Sequence, residues 1–144
     1  MFKKVFIDAN VILDVFDNTR VCSKYSIEAV NYLLNGDAQL LTSSDLITTV
    51  YYILSKKDKK IALKSIKLSL DYFLLIPFSN IETENVIKLM ERDKYYKDFE
   101  DTLQYVLAKR NKCEFILSND NNFPNKDIDV MTAEKFCKTY IIFP

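Results

Sequence analysis

Phe2-Lys3-Lys4-Val5-Phe6-Ile7-Asp8-Ala9-Asn10 runs an aromatic and β-branched apolar stretch straight into an acidic turn. A short run rich in Val, Ile and Phe has the composition of a strand. Its hydrophobicity is continuous rather than alternating, which predicts a strand buried on both faces, as in a parallel sheet covered by helices. Similar runs recur at 39–42, 72–76, 113–117 and 128–131. Helical periodicity fills the intervals. Residues 23–34 place Ile27, Val30 and Leu34 on one face, and 46–54 continue with Val50 and Ile53. Residues 61–70, 81–90 and 99–108 repeat the pattern, the last through Phe99, Leu103, Val106 and Leu107. Strands alternating with helices imply right-handed crossovers and an α/β three-layer sandwich: a central, mostly parallel sheet with helices on both faces.

The 144 residues fit one domain, 1–144, and 49% hydrophobic residues exclude a disordered chain. Lys+Arg 20 balance Asp+Glu 20, so contact with a polyanion has to come from a local basic patch rather than the net charge. Cys22, Cys113 and Cys137 are odd in number and lack CxxC spacing, which argues against a disulfide framework or zinc knuckle and fits a reducing, cytoplasmic setting. No basic-then-apolar leader opens the sequence. The longest apolar stretch, 72–78, is far short of the ~18–20 residues of a membrane span.

The chain contains no histidine. Ser-His-Asp and Cys-His nucleophiles are therefore excluded, and the lone Gly36 excludes a glycine-rich phosphate cradle. What stands out instead is acid at the ends of apolar runs. Asp8 and Asp120 follow the first and fourth runs, and Asp101 opens the helix before the fourth. In open α/β sheets ligands gather at the carboxyl ends of strands, where this order puts the acids. Three carboxylates within ~4 Å would repel by about 4 kcal/mol per pair at an effective dielectric near 20. The sum, roughly 12 kcal/mol, rivals the ~5–15 kcal/mol stability of a whole domain. Such a cluster needs protons, cations or basic neighbours, and a hard divalent cation is the usual answer. Each acid also has a plainer explanation. Asp8 and Asp120 have turn composition around them, Asp98 suits an N-cap with Asp101 in the first helical turn, and Asp14 is expected on an exposed helix surface.

These residues carry a resemblance. Phe6-Ile7-Asp8-Ala9-Asn10-Val11-Ile12-Leu13-Asp14 resembles the opening motif of PIN domains, and Asp98-Phe99-Glu100-Asp101-Thr102-Leu103-Gln104 is similar to their central acidic helix start. Ile116-Leu117-Ser118-Asn119-Asp120-Asn121-Asn122-Phe123 resembles the late turn, and residues 128–136 resemble the last strand and helix. The likeness is to small, free-standing VapC-like toxins. It implies a metal-dependent ribonuclease in which Asp8, Asp101 and Asp120 hold Mg²⁺ or Mn²⁺, Asn10 positions the first acid, and Asp98 is a further acidic neighbour. A homodimer and a small antitoxin partner are also implied. One departure stands out: Thr49 occupies a helix position where many members carry an acid, with Asp45 one turn earlier suiting an N-cap. A weakened, RNA- or protein-binding member is therefore an alternative. A looser likeness of Asp8-Ala9-Asn10 to the Asp-x-Asp strand end of haloacid-dehalogenase-type phosphatases is another.

For an RNA substrate, unstacked single-stranded or looped segments suit a shallow acidic groove better than a duplex. Lys97 and Arg110 are the cations nearest the central motif in sequence, Lys56, Lys57, Lys59, Lys60 and Lys64 form the densest basic group, and Tyr95 and Tyr96 are candidates for stacking on bases.

Overall fold

The first apolar run forms β1 (Lys4–Ile7), and Asp8 turns the chain directly into α1 (Ala9–Phe16), its side chain accepting the Ala9 N–H. The structure is a computed structural model, described here for residues 1–141. The chain continues through α2 (Ser23–Asn35), β2 (Gln39–Ser43), α3 (Ser44–Ser55), α4 (Lys59–Tyr72) and β3 (Phe73–Ile76). It then forms α5 (Asn80–Arg92), α6 (Phe99–Arg110), β4 (Phe115–Leu117), β5 (Asp129–Met131) and α7 (Ala133–Tyr140). The five strands make one sheet in the order β3-β2-β1-β4-β5, and every pair is parallel.

Continuous hydrophobicity predicts double burial, and the central strands obey it. Val5, Phe6 and Ile7 of β1 are wholly buried, as are Ile116 and Leu117 of β4. Polar groups have no place on either face there, so β-branched and aromatic side chains carry the packing. Helices α1, α2 and α7 pack against one another, whereas α5 and α6 form a separate pair with α6 against β2 and β4. Phe115 stacks on Phe136 of α7 with ring centroids 5.7 Å apart, tying β4 to the α2–α7 side. The result is the three-layer sandwich expected from the sequence.

The strand order decides where a ligand can enter. From β1 the chain winds outward through β2 to β3, then crosses back to place β4 on the other side of β1. Right-handed crossovers moving in opposite directions cover opposite faces, so the carboxyl ends of β1 and β4 diverge into different layers and leave a crevice. Asp8 and Asp120 follow those two strand ends. Among the described residues no helix is long and apolar enough to cross a membrane. Cys113 and Cys137 are buried and unpaired, and Cys22 is half-buried.

Candidate functional site

Asp8 is only 6% exposed, so its carboxylate depends on protein donors. Oδ1 accepts the Ala9 N–H at 2.7 Å. Oδ2 accepts Ser118 Oγ–H at 2.7 Å and Asn10 Nδ2–H at 3.0 Å. Burial still outweighs these bonds and pushes the Asp8 pKa upward, with the Asp120 charge adding to the rise. Ser118 also accepts the Asp120 N–H at 3.1 Å, so one hydroxyl couples the β1 and β4 termini.

Further hydrogen bonds run from Asn10 through Asn119 to Asp14 behind the site. Asn10 Oδ1 accepts the Asn119 N–H at 3.1 Å, and Asn119 Nδ2 donates to Asp14 Oδ2 at 2.8 Å. Asp14 also accepts Arg20 Nε–H and Ser26 Oγ–H, both at 2.7 Å. The exposed role expected for Asp14 is therefore wrong: it is 2% exposed, because the chain after α1 folds Arg20 back over it. Asn119 Oδ1 accepts the Ala133 N–H at 2.9 Å, which carries the network to the start of α7.

The remaining acids come from α6. Asp98 is its N-cap, accepting the Asp101 N–H at 2.9 Å, so the capping role expected for Asp98 is real. Capping leaves the Asp101 side chain free. Asp101 is pushed up to about 7, first by burial and then by the charges of Asp98, Asp8, Asp120 and Glu100. Glu100 is raised too, by burial and by Asp45, Asp8 and Asp98. Asp98, Asp101 and Asp120 line one cleft, whereas buried Asp8 does not line it and reaches Asp101 only through its charge; Glu100 is likewise raised by the charges of Asp45, Asp8 and Asp98. Asp45 is not the N-cap of α3; Ser43 holds that position and donates its hydroxyl to Asp45 in the first turn. Thr49 lies half-buried one turn further along α3.

Gln104, one turn beyond Asp101, was not foreseen. It is 1% exposed, and neither amide atom has a hydrogen-bond partner among the described residues. Its dipole nevertheless bears on Asp8 and lowers that carboxyl's pKa, so the amide is near Asp8 without reaching bonding geometry. A buried amide with no partner costs on the order of 1–3 kcal/mol. Its polarity on a buried helix face was the signal available in the sequence.

A cleft of about 680 Å³ is lined by Asp98, Asp101 and Asp120 together with Tyr95, Lys97 and residues 121–125. Tyr96 is buried and packs on Tyr105, so of the two tyrosines only Tyr95 faces this space. Arg110 closes the far end of α6 and lines a different depression with Asn85 and Arg92. The helix length thus separates it from Lys97.

Among the described residues no three acidic or thiol side chains already stand in a metal-holding group. The donor set nonetheless suits a hard divalent ion. Mg²⁺ commonly keeps several waters and binds through one or two carboxylates, so a closed cage is not needed. Burial raises Asp101 most and the neighbouring carboxylates add to it; a cation would offset both.

Comparison with known proteins agrees with this fold. The pattern of the PIN domain matches residues 4–122. Over 138 residues the chain is 56% identical to Ribonuclease VapC1 of Aquifex aeolicus strain VF5, covering 96% of each. Among solved structures, a toxin–antitoxin complex from Klebsiella pneumoniae aligns with TM-score 0.69 at 17% identity, covering 90% of this chain and 97% of that one. VapBC2 of Rickettsia felis, bound to a DNA fragment from its promoter, aligns with TM-score 0.68 at 15% identity, covering 90% and 98%. The Mycobacterium tuberculosis toxin VapC20, which cleaves the sarcin-ricin loop, aligns at 0.67 and 11%, covering 83% and 92%.

Proposed function

This chain belongs to the PIN domain family, and on that premise we propose that it is an Mg²⁺- or Mn²⁺-dependent endoribonuclease, the toxin of a toxin–antitoxin pair. What supports this is that Asp98, Asp101 and Asp120 line one cleft, and that Asp101 is raised to about 7, first by burial and then by the charges of Asp98, Asp8 and Asp120. Asp8, Asp101 and Asp120 would hold the ion. When bound, it supplies positive charge that polarises a phosphodiester oxygen and acidifies water.

The protein's own groups do the rest. Ser118, Asn10 and the Ala9 N–H fix the Asp8 carboxylate in one orientation, so its lone pairs are aimed before any ligand arrives. Asp101 would have to be deprotonated to hold the ion, so binding would weaken below about pH 7. Asp98 and Asp120 flank the cleft where an attacking water is oriented, and Lys97 at its mouth meets a backbone phosphate. A phosphatase using Asp8 as nucleophile has less support. Asn10 stands where the Asp-x-Asp strand end of such phosphatases carries its second Asp.

We take the partner to be a small antitoxin protein, the assembly to include a second copy of the chain, and the setting to be cytoplasmic. The unpaired cysteines and the toxin–antitoxin complexes among its structural relatives support this. Residues 1–144 are read as one domain. The test is cleavage of structured and unstructured RNAs in Mg²⁺, Mn²⁺ or EDTA, with Asp8→Asn as control. Cleavage that needs the ion and is lost in the variant is expected. RNA that survives both ions, or is cut equally by the variant, contradicts the assignment.

A further inference from the structure

We propose that the cleft between the acidic cluster and residues 121–125 is a subsite for a single unpaired nucleobase, stacked on Tyr95 beside the scissile phosphate; this rests on the ribonuclease assignment and adds the feature of RNA it selects. The ring of Tyr95 is 41% exposed, yet it is held on several sides. Its hydroxyl donates to Asn125 Oδ1 at 2.7 Å and accepts the Asn125 N–H at 2.8 Å. Tyr96 meets it nearly edge-on, with centroids 5.2 Å apart and planes at 84°. The Lys126 ammonium, itself paired with Asp93 at 2.6 Å, lies 5.9 Å from the ring centroid.

A surface tyrosine is ordinary, and exposure alone would mean nothing. An exposed ring tied through its hydroxyl and packed against Tyr96 is different. Its orientation is set before a ligand arrives, so stacking costs little side-chain entropy. The chemistry around it is also selective. Asp98, Asp101 and Asp120, which line the same cleft, repel anionic groups unless a cation intervenes. Lys97 offers one positive charge at the mouth, and the exposed amides of Asn121 and Asn122 present paired donors and acceptors of the kind base edges use. Its volume, about 680 Å³, lies within the ~300–1,000 Å³ range of small-ligand pockets. A flat, uncharged, hydrogen-bonding group attached to a phosphate is the chemistry that matches all of these walls. A base inside a duplex is already stacked and cannot enter.

The experiment measures kcat/KM at one scissile bond in a short single-stranded RNA and in a series carrying one abasic nucleotide at successive positions. Stacking of one base on an aromatic ring is worth ~1–3 kcal/mol, roughly a 5- to 150-fold effect. The wild-type protein should lose activity by that factor at one position flanking the cut. Tyr95→Leu should cut intact and abasic RNA alike, and Tyr95→Phe, which keeps the ring, should retain the preference. An unchanged preference in folded Tyr95→Leu overturns the proposal. If that variant does not fold, the wild-type series decides alone, since equal rates at every abasic position overturn it as well. A wild-type protein that cuts no RNA with either ion fails at the earlier step and takes this subsite with it, whereas cleavage without a base preference removes the subsite only.

Discussion

Replacing Asp101 with Asn should make the ion-free protein more stable at pH 8 while weakening its hold on divalent cations. In the folded chain Asp101 keeps its proton up to about pH 7, whereas an unfolded Asp releases it near 3.9. Between those values the folded state binds more protons, so this residue's contribution to stability is full below about pH 4 and is lost as pH rises to 7. The shift corresponds to about 4 kcal/mol at 1.36 kcal/mol per unit. Asp101 is only half-buried, and solvent screening reduces that to ~2 kcal/mol. Losing a carboxylate from the first turn of α6 gives back ~0.5 kcal/mol of helix-dipole stabilisation. The N-cap is untouched, because Asp98 caps through the Asp101 backbone N–H. The net gain is ~1.5 kcal/mol at pH 8, or roughly 3–6 °C in Tm for a chain of this size. At pH 4 the gain should vanish, since the wild-type side chain is then neutral. Thermal melts in EDTA at both pH values, repeated with Mn²⁺ at pH 8, measure this. Mn²⁺ should raise the Tm of the wild type more than that of the variant. A variant less stable than wild type at pH 8, or equally stabilised at pH 4 and 8, refutes the idea that Asp101 sits in an unbalanced acidic field.

Other perturbations separate scaffold from site. Asp14→Ala removes the acceptor for Arg20, Ser26 and Asn119 together. Because Arg20 is partly exposed, the loss should be ~2–4 kcal/mol by urea denaturation; a change under ~1 kcal/mol would mean the network is not coupled. Gln104→Met keeps volume while deleting an amide without partners, so stability in EDTA should hold or rise by ~1 kcal/mol as Mn²⁺ affinity falls severalfold by calorimetry. Lower stability with unchanged affinity would assign Gln104 a purely structural role. At the far end of α6, Lys112 has φ 57°, a conformation costly to any side chain. Lys112→Gly should therefore stabilise by ~0.5–1 kcal/mol without touching cleavage; destabilisation would show that the side chain itself holds the turn.

The sheet was legible because its central strands are buried on both faces, so Val5–Ile7 and Ile116–Leu117 show as unbroken apolar runs. The acids were legible as residues that end such runs. Their support was less so. Asp14 reads as surface because its partners, Arg20, Ser26 and Asn119, reach it through turns that leave no periodic trace. Asp45 looks like a cap, but β2 runs into α3 without a break and gives Ser43 that place. Tyr95 and Tyr96 are adjacent and chemically identical. Only the turn between α5 and α6 decides that one is buried against Tyr105 and the other faces the cleft. Lys97 and Arg110 flank one motif in sequence, yet α6 separates them by its whole length.

Anomalous scattering from a crystal soaked in Mn²⁺ shows whether these carboxylates share an ion. A manganese peak is expected in the β1/β4 crevice with carboxylate oxygens of Asp8, Asp101 or Asp120 at about 2.1–2.3 Å, near the ~2.0–2.1 Å of the smaller Mg²⁺. At saturating Mn²⁺, an empty crevice, or a peak held only by acids elsewhere on the surface, would contradict it.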